Sequence, residues 1–247
     1  MHDISCKALR LAVFGDSHYG CVRLAQAQGL VNPEGIDLEY WGHIGRRFKF
    51  LDIRDGAIVP TDEVTADRFA KFNAKGRRFL PAADFDMILF VGTRIHLHNI
   101  FRPLLQAGRA GPFITSGLSR RMLEDHFSGQ HGYRLARGLA ATGTARIVVN
   151  PASFWTQGEP GLDSIVTPEV RFSTEQDRAE IWRLASLVFS ADGITLIRQP
   201  EETVVEGIFT RPEFAVDGYL QRNDFEHRNP AYGALILNKA LAMLRAG

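Results

Sequence analysis

Cysteine is nearly absent from this 247-residue chain. Cys6 and Cys21 are its two, too few for a disulfide framework, so a reducing, cytoplasmic setting is expected. No apolar run approaches the roughly 18 residues that a membrane span needs. Residues 1–5 offer neither the basic n-region nor the apolar h-region of a secretory signal. An excess of charge of one sign is missing too: Lys and Arg number 29 against 28 Asp and Glu, a net charge of +1. That balance argues against a polyanionic partner such as nucleic acid or an anionic membrane, while leaving room for a local basic patch. No tract rich in Pro, Gly or Ser divides the chain, and no repeat or low-complexity segment is visible. What is there, 45% hydrophobic and 23% charged residues, is the composition of a globular protein with a sizeable core. One domain over residues 1–247 is the economical expectation.

Five short apolar runs read as strands buried on both faces, at residues 8–14, 36–41, 86–91, 145–150 and 194–197. The first three stop at Gly15, Gly42 and Gly92. Residues 20–28 fit an amphipathic helix. Residues 48–60, with Asp55-Gly56 at the centre, read as a small hairpin. A capping-box pattern, Ser173 with Gln176, opens a helix that Gly193 ends. A last helix starts after Asn229-Pro230, Asn as cap and Pro in the first turn. Strands alternating with helices imply a parallel sheet covered on both faces. Residues 100–144, with several glycines and basic residues, read as a helical lid or insertion.

In an open parallel sheet, ligands bind at the carboxyl ends of the strands. Three such ends carry chemistry here: Gly15-Asp16-Ser17-His18, Gly42-His43-Ile44-Gly45 and Gly92-Thr93-Arg94-Ile95-His96. A fourth group, Asp224-Phe225-Glu226-His227, precedes the final helix. A serine hydroxyl is a weak nucleophile until a base takes its proton. A histidine serves as that base when an acid holds its other nitrogen in the right tautomer. Asp224 can hold His227 in this way if the loop makes a turn.

On these residues the chain resembles the GDSL, or SGNH, family of serine hydrolases. The resemblance rests on Phe14-Gly15-Asp16-Ser17 after the first strand and on Asp224-x-x-His227 before the last helix. It implies a flavodoxin-like three-layer α/β/α sandwich with a five-stranded parallel sheet. It also implies Ser17 as nucleophile, His227 as base and Asp224 as its orienting acid, with no cofactor. The family's oxyanion hole would use the Ser17 N–H and a glycine N–H after the second strand, either Gly42 or, by preference, Gly45. Its third donor is an asparagine in a Gly-x-Asn-Asp pattern, where this chain has Gly92-Thr93-Arg94-Ile95. Arg94 thus stands in place of the amide. A guanidinium is a stronger donor to an oxyanion, or a holder of a carboxylate or phosphate on the substrate. His96, His98 and Asn99 are other candidates for the missing donor, and Asp16, His18, Gly92, Arg46 and His96 are expected to line the substrate site.

Other readings stay open. Asp16-Ser17 can simply cap the next helix. Arg46-Arg47-x-Lys49 can be a solvated face, and His96-x-His98 invites a metal, although no partner set accompanies it. Asp16-Ser17-His18 resembles the opening Asp-x-His of calcineurin-like metallophosphoesterases, whose later Gly-Asp and Gly-Asn-His blocks are absent. Cys21, Trp41, Trp155 and Trp182 read as core or wall residues. The expected activity is hydrolysis of a small-molecule or acylated-carbohydrate ester. An acyltransferase or a non-catalytic module on the same scaffold is the alternative.

Overall fold

The computed structural model describes residues 8–42, 45–110 and 114–247; Cys6 and the His43-Ile44 pair lie outside them. Five strands form one parallel sheet: β1 (Leu9–Gly15), β2 (Ile36–Gly42), β3 (Met87–His96), β4 (Arg146–Ala152) and β5 (Ile194–Leu196). Their order is β2-β1-β3-β4-β5, the flavodoxin-like arrangement. The chain leaves β1 toward one edge and returns to its other side at β3. The switch point therefore lies between the carboxyl ends of β1 and β3, where such sheets form a crevice.

Alternation along the strands builds the two covered faces. Leu11 and Val13 of β1, with Met87, Leu89 and Val91 of β3, meet Val22 and Ala25 of α1 (Gly20–Ala27) and Ile236, Leu237 and Ala240 of α7 (Pro230–Arg245). The residues between them, Ala12, Phe14, Ile88 and Phe90, belong to the larger core on the opposite face. There Phe14 meets Phe90 edge-on at 5.0 Å between ring centroids, and each buried ring contributes about 2 kcal/mol by leaving water. Between β2 and β3 runs α2 (Glu63–Phe72). The larger core also draws on α3 (His98–Ala110), α4 (Ser116–Ser128), α5 (His131–Ala140) and α6 (Glu175–Ala191), through Phe101, Phe127, Leu139 and Trp182. Residues 100–144 thus contain most of α3 and all of α4 and α5. Among the described residues no helix is long and apolar enough to cross a membrane.

Three local readings change. The third strand does not stop at Gly92. It continues to His96 through a bulge, because Gly92 pairs with Pro151 and His96 with the very next residue, Ala152. Thr93–Ile95 are thereby lifted out of the ladder. The hairpin strands are Leu51–Arg54 and Ala57–Pro60, and the residues before them, Gly45–Phe50, coil into a 3-10 turn. The capping box lies one residue on. Thr174 Oγ1 accepts from the Asp177 N–H at 3.3 Å and Asp177 Oδ2 accepts from the Thr174 N–H at 2.7 Å. Ser173 donates its hydroxyl to Val170 O instead, closing the preceding turn.

Candidate active site

Two helix starts bring the ends of the chain together. Ser17 opens a 3-10 turn, Ser17–Tyr19, that runs directly into α1 at Gly20. His227 precedes α7, which Asn229 caps by accepting from the Tyr232 N–H at 3.2 Å, with Pro230 at the first position. The helices touch backbone to backbone: a methyl on Gly233 would sit 2.1 Å from Cys21 O. Only glycine allows that approach. Ser17 and His227 each lie three residues ahead of their helix, so docking α7 on α1 brings them face to face.

His227 Nε2 lies 2.7 Å from Ser17 Oγ, and its Nδ1 lies 2.7 Å from Asp224 Oδ1. The partners set the tautomer: Nδ1–H donates to the carboxylate, and bare Nε2 accepts from the serine hydroxyl. The three-residue spacing makes the turn on which this depends, since Asp224 Oδ1 also accepts the His227 N–H at 3.2 Å. Burial opposes ionisation of Asp224. The hydrogen bond and charge of His227, with the N–H groups of His227 and Glu226, outweigh it and hold the carboxyl below its usual range. Ser17 is exposed; Asp224 and His227 are half-buried.

Asp16 joins the first and third strand ends. Its Oδ1 accepts from the His18 N–H at 3.1 Å and its Oδ2 from the Arg94 N–H at 3.0 Å. The bulge that presents Arg94 holds three successive residues in the left-handed region: Gly92, Thr93 and Arg94 at φ 71°, 49° and 58°. For the two non-glycine residues this conformation costs about 1–3 kcal/mol each. Gly92 is also wedged: a methyl there would sit 2.6 Å from His18 Cβ and 2.7 Å from Asp16 Oδ1. The Arg94 side chain leans over Gly45, where a methyl would lie 2.8 Å from Nη1. Gly42, the other expected donor, is covered by the Tyr19 ring.

His18 stacks on His227 with 5.1 Å between centroids. Burial first, then the neighbouring His227 and Arg228, lower its pKa against the opposing pull of Asp16. His96 and His98 are likewise lowered by burial, His98 to about 4. They line a cleft of about 250 Å³ with Ser17, Arg94, Trp155 and Glu226, where Trp155 packs on His98 at 4.5 Å. Arg46 is not in this cleft. It lines a neighbouring one of about 320 Å³ with Gly45 and Lys49, and the two clefts meet at Arg94 and His96. On the other side, Trp155, Glu159, Asp224, Glu226 and His227 border a third cleft of about 430 Å³. Among the described residues no three His, Cys, Asp or Glu side chains converge as metal ligands. Cys21 is buried, its thiol pushed up to about 12 by burial.

Two residues near the site have no role in the sequence reading. Glu226 lines two of the clefts. Arg228 is buried directly behind His227. Its guanidinium donates to Phe154 O at 2.7 Å, Phe225 O at 2.8 Å, Ser153 Oγ at 2.6 Å and the Thr156 hydroxyl. Burial lowers its pKa to about 10, so it stays charged at neutral pH and ties the Asp224–His227 turn to the end of β4. An arginine in a loop carries no sequence signal for such burial.

No family model matches the chain, and no curated protein matches it in sequence. Solved structures of similar course include one from Streptococcus pneumonia, described provisionally as a platelet activating factor. It is 12% identical, with a TM-score of 0.45, over 97% of this chain and 86% of its own. Another, a protein from Lactobacillus plantarum, is 15% identical, with a TM-score of 0.37, over 97% of this chain and 98% of its own.

Proposed function

We propose that the protein is a serine hydrolase of the SGNH type that cleaves small acyl esters. The observation that carries this reading is the unbroken line from Asp224 through His227 to Ser17, with 2.7 Å at both side-chain contacts. Ser17 Oγ attacks the ester carbonyl while His227 Nε2 takes its proton. A tetrahedral intermediate forms with its negative oxygen toward the Ser17 and Gly45 N–H groups and the Arg94 guanidinium. His227 returns the proton to the leaving alcohol, and the acyl group remains on Ser17. Water, deprotonated by the same nitrogen, then releases the acid and restores the serine. Asp224 keeps the imidazole oriented and stabilises its charged form; it holds its own charge throughout.

The Asp16 contacts favour this over a metallophosphoesterase. Both of its carboxylate oxygens accept backbone N–H groups, which fixes Asp16 as the joint between two strand ends, and among the described residues no three His, Cys, Asp or Glu side chains converge with it as metal ligands. The test is hydrolysis of p-nitrophenyl acetate, with a fluorophosphonate probe to locate the nucleophile by peptide mass spectrometry. Ser17→Ala is expected to lose at least a thousandfold in kcat and to abolish labelling. Wild-type turnover by Ser17→Ala, or a label on another residue, sinks the proposal.

A further inference from the structure

We infer that the ester substrate carries a carboxylate at the far end of its acyl chain, held by Arg46 and Lys49 in the cleft that opens past Arg94. This rests on the ester-hydrolase reading above and names its substrate class. The cleft holds three cationic side chains and no acidic one among its described lining residues. Their charge is uncommitted. Arg47, next in sequence, spends its guanidinium on Asp62 at 3.7 Å, whereas Arg46, Lys49 and Arg94 make no ion pair among the described residues. Lys49 lies over the Phe50 ring at 5.1 Å, which leaves its ammonium hydrogens free to donate.

The remaining polar wall is neutral. His131 Nε2 donates to Leu51 O at 3.0 Å and its Nδ1 accepts from Arg134 at 3.2 Å, the pattern of an uncharged ring. His96, shared with the Ser17 cleft, is held toward its neutral form by burial and then by Arg94. Three cations without counter-ions around about 320 Å³ form a site that an anion completes, and a carboxylate suits the guanidinium fork.

The position assigns the charge to the acyl side. His227 must protonate the leaving oxygen, so the alcohol departs toward His227, where Asp224, Glu226 and Glu159 border the adjoining cleft. The cationic cleft lies on the opposite side, past Arg94. An alcohol bearing an anion would face those three carboxylates against one cation of the same cleft, Arg222; an acyl chain ending in one faces Arg46 and Lys49 with no carboxylate among the described lining residues.

The test compares mono-p-nitrophenyl adipate, which carries a free carboxylate, with its methyl ester, which has the same chain and no charge. Expected is a kcat/KM ratio of tenfold or more for the acid, shrinking as sodium chloride is added. In Arg46→Gln/Lys49→Gln the ratio falls at least fivefold, mainly through KM of the acid, and in Arg46→Glu/Lys49→Glu it inverts. Both positions are exposed, and thermal melts check that each variant is folded. A ratio near one in wild type, with Ser17 still labelled by fluorophosphonate, overturns this inference and leaves the esterase reading intact. A preference for 4-acetoxybenzoate over its methyl ester, with no preference among the adipates, overturns the acyl-side assignment. No turnover of any ester and no label on Ser17 overturns both readings together.

Discussion

The two sides of Ser17 are built differently. On one side, Asp224 and His227 sit in a relaxed turn, their hydrogen bonds short and their tautomer set by their partners. On the other, Gly92, Thr93 and Arg94 hold left-handed backbone in a bulge pinned by Asp16. In the proposed reaction the first side moves a proton and needs a fixed distance. In that reaction the second receives negative charge, and it presents a guanidinium where the resembled family has a neutral amide. The first side's left-handed residue is Asn223 at φ 52°, just ahead of Asp224, and asparagine tolerates that conformation where Thr93 and Arg94 do not, so the strain gathers where the bulge presents Arg94 at the switch point.

If the proton side works as proposed, the largest effect comes from Asp224→Asn. The amide keeps the shape and loses the charge, so His227 no longer has its Nδ1–H fixed toward position 224. Expected is a loss of about ten-thousand-fold in kcat with KM little changed, measured on p-nitrophenyl acetate. A loss under tenfold means that the short contacts are structural, and the contrast between the sides disappears.

Next is Gly92→Ala, which strikes the joint between them. Alanine must hold φ 71° with its Cβ pressed against His18 Cβ and Asp16 Oδ1. Neither neighbour is the free end of a flexible chain. A stability loss of about 3 kcal/mol is expected in urea unfolding. A loss under 1 kcal/mol would show that the bulge relaxes freely and that its strain does not serve to present Arg94.

The two sides also differ in how far they are legible from sequence. The five strands announce themselves as short apolar runs, the first three ending at glycines, because both faces of the sheet are covered, as Leu11 and Phe14 illustrate on opposite faces of β1. The Asp224-x-x-His227 spacing is readable because a single turn makes the contact. The bulge is not: Gly92-Thr93-Arg94 interrupts a strand whose ladder resumes at His96, and no local periodicity marks the resumption. Arg228 was equally hidden, since its partners Ser153, Phe154 and Thr156 lie more than 70 residues away in the chain. The box at Thr174 in place of Ser173 reflects competition between adjacent hydroxyls, decided by which one the preceding turn claims.

A smaller effect is expected at Arg94. Arg94→Asn restores the amide typical of the resembled family. If the guanidinium serves the oxyanion, kcat on neutral p-nitrophenyl acetate falls about a hundredfold with KM nearly constant, because the longer side chain is the one shaped to reach over Gly45. Unchanged kcat with a raised KM assigns Arg94 to uniform substrate binding, and the charge-receiving side then consists of backbone donors alone.

The smallest effect lies in the floor beneath both sides. His98 is buried against Trp155, and burial, then His96, His126 and Arg102, bring its pKa to about 4 in the folded chain. The unfolded chain takes up this proton near pH 6.5, about 2.5 units earlier. The folded form therefore loses stability as pH falls from about 6.5 toward 4 and no further below that, by about 3 kcal/mol. His98→Phe keeps a ring against Trp155 and removes the titrating nitrogen, so its urea midpoint is expected to fall less over that window than the wild-type midpoint. His96 and His126 are lowered in the same direction, so part of the slope remains. An identical slope in both proteins would mean that His98 is protonated as readily in the fold as in water. A protonated His98 would then stand in the Ser17 cleft beside His96, and the burial that keeps this wall of the cleft neutral would not hold.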